Sequence, residues 1–276
     1  MKVKEKLDLN KIKNIKKIFP KHSSIIDDYL VNFNKYGYKE IEYVKCNKYS
    51  EYFPTTLSIS RLPREVKKYC LKDDYIKLDF VNCGIYILKH LSDEKGTIND
   101  NLNFYYYNRK IIIQGIMNTL DISYKETKKI IFNIIVKDDD VNLLLDDKLL
   151  QENQILYTYL VSLVKECNTL QKILGLHYSY NLRNEKNENV NFYYKDMDSH
   201  NLLGFVIQDI TRQLTLQMYE YLQKNNYIKN NICILHGDAI FILKQENINY
   251  LELNMNLMNH IKKTLGYSMK LSIEEC

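Results

Sequence analysis

The chain has 276 residues, 45% of them hydrophobic and 26% charged, which is enough apolar material for a buried core and excludes a wholly disordered chain. Only 8 Gly and 3 Pro exclude collagen-like and Gly-rich linker architectures, and no apolar run approaches the ~18 residues of a membrane span. Lys and Arg number 39 against 34 Asp and Glu; the net charge of +5 permits a nucleic-acid partner without demanding one.

The first seventeen residues carry Lys2, Lys4, Lys6, Lys11, Lys13, Lys16 and Lys17 against Glu5 and Asp8, which reads as a solvated helix or a basic arm. Phe53 to Arg64 reads extended, and a short basic helix follows over Arg64–Cys70. Tyr75-Ile-Lys-Leu-Asp-Phe80 alternates after Asp73-Asp74, the mark of a strand ending near Asp79. Residues 84–91 and 104–120 read as helices. Ser123 with Glu126 three residues on forms a capping box for a helix reaching about Val136.

Asp138-Asp139-Asp140 breaks that helix, and consecutive acids read as a solvated turn. A mostly helical stretch follows over 141–175, then an Asn-rich loop over 181–201. Val206, Ile210, Leu214, Met218 and Leu222 recur every four residues and predict an amphipathic helix. Two β-rich runs, Ile232–His236 and Ala239–Leu243, flank Gly237-Asp238 and predict a hairpin. A helix over 247–264 and a strand over 267–273 close the chain. The six cysteines lack CxxC spacing, which disfavours zinc and a disulfide framework and fits a reducing, intracellular compartment.

Two aspartates carry the chemistry. If the strand ending at Asp79 shares a sheet with the hairpin that turns at Asp238, both carboxylates emerge at one end. Paired carboxylates repel unless a cation offsets them, and Mg²⁺ does so through oxygen ligands. Two such ions can align a hydroxyl, a phosphoryl group and its leaving oxygen. Gly237 fits, since a tight turn beside a phosphate has no room for a side chain. Read singly, Asp79 is equally a helix cap and Gly237-Asp238 an ordinary turn.

On the helix that starts after Ser123, Tyr124, Lys128 and Phe132 share one face. A cation among aromatic rings suits a nucleotide, with lysine at the phosphates and a ring at the base. The same residues also suit a surface helix with Phe132 in the core. Tyr105-Tyr106-Tyr107 and Tyr193-Tyr194 read as packing in a chain with 24 tyrosines.

These segments resemble motifs A, B and C of family A DNA polymerases, above all the small divergent enzymes of large DNA viruses and mobile elements. Asp79-Phe-Val-Asn-Cys-Gly84 is similar to motif A, Tyr124 to Lys137 to motif B, and His236-Gly237-Asp238 to motif C. Ile207-Gln208-Asp209 is similar to the helix signature before motif C, and Arg61-Leu-Pro-Arg64-Glu-Val-Lys67 to the lead-in of the viral relatives. The likeness covers about residues 55–276.

The resemblance implies catalytic roles for Asp79 and Asp238, which with the Phe80 carbonyl would bind two Mg²⁺ ions, Mn²⁺ being a substitute. It implies that Lys128 meets the nucleotide phosphates and that Phe132 lies under the nucleotide. Tyr124 stands where the family has arginine, with Lys125 adjacent and Arg109 as a replacement from an earlier helix. Gln208, Arg212 and His236 would contact the primer–template. The sugar-discriminating glutamate of motif A falls at Gly84, which implies relaxed selection between dNTP and rNTP. Gly237 intervenes where the family places Asp directly after His.

The expected fold is α+β, a polymerase palm with a central antiparallel sheet and inserted helical fingers. The expected order is a basic helical N-terminal region (1–55, a minimal thumb or arm), a leading palm segment with motif A (56–103), fingers with motif B (104–180) and a closing palm segment with motif C (181–276). The expected activity is DNA polymerase-like, template-directed nucleotidyl transfer to a primer 3′-hydroxyl. The alternatives are a primase-like or RNA-synthesising polymerase and an inactive palm that binds nucleic acid. The expected partners are primer–template, nucleoside triphosphates and a processivity or helicase–primase factor, with no membrane, in the cytoplasm or nucleus.

Overall fold

The computed structural model describes residues 1–45, 52–137, 151–181 and 202–276. They divide into two units, Met1–Cys83 with Asp209–Cys276, and Gly84–Gln208. The expected turn at Asp138–Asp140, most of the loop over 181–201 and Tyr193-Tyr194 lie outside the described residues.

The first unit is organised by β4 (Tyr75–Phe80). Its odd positions Tyr75, Lys77 and Asp79 share one face, and Ile76, Leu78 and Phe80 share the other, as the two-residue period dictates. It pairs antiparallel with β6 (Ala239–Leu243) on one side and β7 (Leu271–Glu275) on the other. The hairpin from β5 (Cys233–His236) to β6 completes a sheet of order β5-β6-β4-β7. The last strand starts later than 267 because its register is set by Phe80↔Leu271. Its Glu274 and Glu275 are tolerated on an edge, where charge deters further pairing.

The first residues differ from the reading as a helix or arm. Lys2–Lys6 is strand β1, paired with β2 (Tyr38–Lys45), which pairs with β3 (Tyr52–Pro54). Val3, Glu5 and Leu7 turn inward and are buried. Between β1 and β2 run α1 (Leu9–Ile18), capped by the Asp8 carboxylate, and α2 (Ser23–Leu30). Helix α3 (Arg64–Leu71) precedes β4. Ile15, Ile26, Val66 and Leu71 from these helices form one core with Tyr75, Ile234, Ala239 and Phe241 of the sheet.

Glu5 lies within this core. Its carboxylate accepts from the Tyr29 hydroxyl at 3.0 Å, the Ser58 hydroxyl at 2.5 Å and the Ile59 amide at 3.1–3.2 Å. Nearby, the Lys39 ammonium donates to the Tyr29 and Leu57 carbonyls at 2.6 and 2.9 Å. Burial raises the Glu5 carboxyl above the usual range, against the pull of these donors and of Lys39.

The second unit is helical: α4 (Cys83–Glu94), α5 (Asp100–Leu120), α6 (Tyr124–Lys137) and α7 (Gln154–Asn181). Glu166 of α7 accepts from the Asn101 and Leu102 amides at 3.0 and 2.9 Å, covering two of the open donors at the start of α5. The capping box of α6 is present: the Ser123 amide donates to Glu126 at 2.9 Å, and the Glu126 amide to the Ser123 hydroxyl at 3.3 Å. The chain returns to the first unit along α8 (Leu202–Lys224), whose Val206, Ile210, Leu214, Met218 and Leu222 are all buried. Helix α9 (Tyr250–Leu265) ends at Gly266 in the left-handed region and leads to β7.

Candidate active site

Sheet register places the backbones of the two aspartates near each other at one end of β4. Asp79 faces Ala239 on β6 and Ser272 on β7, and the Phe80 amide donates to the Asp238 carbonyl at 3.3 Å. Asp238 is therefore one residue beyond the partner of Asp79, in the two-residue turn of the β5–β6 hairpin. Gly237 has φ +59° and Asp238 does not share the positive φ, the pattern of a type II′ turn with glycine at its first central position. The Thr215 hydroxyl of α8 holds the turn by donating to the Gly237 carbonyl at 3.0 Å.

Both carboxylates act on one thiol. Burial raises Cys83 to about 12, and the charges of Asp238 and then Asp79 push in the same direction, while a contact with the Thr211 hydroxyl at 3.5 Å opposes them. The two acids thus share one neighbourhood at the start of α4. Lys77 forms an ion pair with Asp79, the consequence of their i, i+2 placement on one strand face. Sequence reasoning misses Lys77, although the alternation of β4 already places it beside Asp79.

His236 lies on the same sheet row as Asp79, with the small Ala239 between them. Its Nε2 is 3.4 Å from Lys67 Nζ. Desolvation and then Lys67 and Lys77 lower the imidazole to about 4, against the attraction of Asp79. Arg212 of α8 is bound instead to Asp209, at 3.0 Å, and is largely covered. Gln208 is the last residue of the second unit.

In the second unit, Lys128 Nζ lies 5.6 Å from the centre of the Tyr124 ring, a cation–π contact. Phe132 is 49% exposed and Tyr124 53%, so Phe132 is not a core residue. The core of α6 is made by Thr127, Ile131, Ile134 and Ile135. Lys125 is exposed. Arg109 bonds the Tyr105 phenol, on which Tyr124 also acts, so the arginine of α5 and the start of α6 share a neighbourhood. Tyr105 is buried, whereas Tyr107 is 72% exposed.

Among the described residues no cluster of three or more His, Cys, Asp or Glu side chains could hold a metal by itself. Asp79 and Asp238 are two carboxylates, fewer than such a cluster, and Asp79 is paired with Lys77, so an ion held there would need its remaining ligands from water and phosphate oxygens. No helix among the described residues is long and apolar enough to cross a membrane.

No protein-family model and no curated protein sequence matches the chain. Among solved structures, it resembles the POL domain of Pol1 from M. smegmatis in complex with DNA primer-template and dNTP, with a TM-score of 0.57 at 9% sequence identity. The match covers 94% of this chain and 50% of that one, so the chain spans about half the length of its structural neighbour. The fold is therefore α+β and polymerase-like: an antiparallel palm sheet with a helical insertion between β4 and the β5–β6 hairpin.

Proposed function

We propose that the chain is a template-directed nucleotidyltransferase. Its first unit is the palm, with Met1–Arg61 built into it, and its second unit is the fingers. The observation that carries this reading is the adjacency of Asp79 and Asp238 at one end of the sheet in a polymerase-like fold. In the reaction, the primer 3′-oxygen bonds to the α-phosphorus of a nucleoside triphosphate, pyrophosphate leaves, and the hydroxyl proton passes to solvent. Divalent ions bound at such a pair would stabilise the charge that develops on the attacking and leaving oxygens.

This chain's own residues supply position and charge. Asp79, Asp238 and the Phe80 carbonyl would hold the ions. Lys128 would neutralise triphosphate charge, and the exposed rings of Tyr124 and Phe132 would offer faces to the base. Arg109 and Lys125 would add cations beside them, and Gln208 and His236 would each contact the primer–template, whereas Arg212 would have to leave its pair with Asp209 to do so. Primer extension with Mg²⁺ tests the reading: Asp79→Asn and Asp238→Asn should each lower incorporation at least ~100-fold while duplex binding persists. Duplex binding without incorporation by the unaltered chain would identify an inactive, binding palm instead.

Gly84 favours a second reading, synthesis of RNA or primers. A β-carbon there would stand 3.4 Å from the Ile207 side chain, ordinary contact, so space alone does not explain the missing side chain. Glycine offers nothing to block a 2′-hydroxyl. Incorporation rates for ATP and dATP within about tenfold of each other would support it; strong rejection of ATP would not.

A further inference from the structure

The turn that carries Asp238 is held by the Phe80 amide from β4 and by the Thr215 hydroxyl from α8. A third hold comes from the first strands of the chain. His236 and Ala239 close the two-residue hairpin, so the ladder alternation turns the amide and carbonyl of Leu235 away from β6. Strand β5 stands at the end of its sheet, and among the described residues its outer edge meets β1 through one isolated bridge, Lys4 to Ile232. Leu235 is buried, and a buried carbonyl without a donor is costly. The Tyr43 hydroxyl of β2 supplies the donor at 3.2 Å, across 192 residues of chain.

The phenol is itself held in place. Tyr43 is 1% exposed, and its oxygen lies 3.2 Å from Ser58 Oγ, which bonds Glu5 at 2.5 Å and lies 3.0 Å from Ser60 Oγ. Burial and then the charge of Glu5 raise the phenol above its ordinary value, so it stays a hydrogen donor. The buried network around Glu5 thus reaches the active-site hairpin through the Tyr43 hydroxyl. Tyr29 also donates to Glu5, at 3.0 Å, but that bond involves no atom of β5.

We propose that Tyr43 is a positioning residue for the Asp238 turn: by holding the Leu235 carbonyl it sets how far β5 advances, and with it where the turn presents Asp238. The catalytic consequence rests on the nucleotidyltransferase reading; the hold on the turn does not. Ser58 acts one step further out, by orienting the phenol. Both side chains are buried and take no part in bond making.

The test uses nuclear magnetic resonance on the full chain. Glycine-selective isotope labelling gives eight amide signals, and that of Gly237 is assigned by its loss in Gly237→Ala. Tyr43→Phe keeps the ring and deletes the donor; it should move the Gly237 signal while those of Gly96 and Gly266 stay in place. Tyr29→Phe removes another hydroxyl from Glu5 and should lower stability without moving the Gly237 signal. A Gly237 signal unmoved by Tyr43→Phe, or moved equally by both changes, would overturn the hold. Ser58→Ala carries the same test should Tyr43→Phe not fold, a moved signal supporting the hold and an unmoved one overturning it. Primer extension on the same samples reads the consequence. Tyr43→Phe should lower the first incorporation at saturating nucleotide about five- to thirtyfold, with duplex affinity and nucleotide KM within about twofold. A moved signal with an unchanged rate would overturn the positioning role. A moved signal in a chain that incorporates nothing, even unaltered, leaves the hold standing and the polymerase reading refuted; an unmoved signal with full incorporation does the reverse.

Discussion

The amide of Phe80 donates to the carbonyl of Asp238 at 3.3 Å, one step past the pairing of Asp79 with Ala239. This bond makes the hairpin turn a continuation of the ladder and fixes the spacing of the two acids. The turn depends on Gly237 at φ +59°, where an added β-carbon would meet nothing within 4 Å. Gly237→Ala should therefore cost backbone strain alone, about 1–2 kcal/mol. The expected result is a melting temperature several degrees lower, with incorporation reduced more than about tenfold through the displacement of Asp238.

Lys77 pairs with Asp79 and would compete with a divalent ion bound there. Both side chains are about one-quarter exposed, so solvent screens the pair and its worth is on the order of 1 kcal/mol. Replacement by Lys77→Met should tighten Mn²⁺ binding about fivefold, read directly by electron paramagnetic resonance without substrate. Unchanged Mn²⁺ affinity would show that the lysine leaves Asp79 at no cost.

Glu5 tests how firmly the β1–β2–β3 sheet is tied to the core. Glu5→Ala leaves Tyr29, Ser58 and the Ile59 amide without their buried acceptor and should destabilise the chain by about 3–5 kcal/mol in chemical denaturation. Glu5→Gln keeps the volume and one acceptor oxygen, so its loss should be smaller. The raised carboxyl also fixes a sign: the folded state favours the protonated form, so the advantage of Glu5 is full below about 4.5 and declines as pH rises through its folded value.

His236 gives the opposite slope. Its folded value of about 4 lies below the ordinary 6.5, so between these limits the unfolded chain binds the extra proton. Stability from this group is present above pH 6.5 and lost as pH falls toward 4. Relative to His236→Gln, the unaltered chain should lose about 1 kcal/mol over that window, since solvent at the exposed ring screens the cations. Parallel melting curves at each pH would contradict this.

The hairpin and β4 are legible in the sequence because each signal is local. Alternation over Tyr75–Phe80 sets the faces, and Gly237-Asp238 between β-branched runs sets the turn. The stripe of α8 is likewise readable every fourth residue. Strand β1 is not: Val3, Glu5 and Leu7 alternate, but an inward glutamate among lysines looks solvated until Ser58 and Ile59 supply its donors from 53 and 54 residues away. The exposure of Phe132 is hidden too, since periodicity places it on a face without saying which face is covered. The approach of Lys67 to His236 spans 169 residues and leaves no trace in the order of the chain.

Strand β4 has a hydrogen-bonded neighbour on each side, whereas Asp238 sits in a turn joined to the sheet by the Phe80 bond and to α8 by Thr215. One acid is thus set in a strand paired on both sides, and the other in the turn at the end of a hairpin. Adjustment to a substrate of different size falls to the tip, so amide hydrogen exchange should be slow at Lys77 and Leu78 and fast at Asp238.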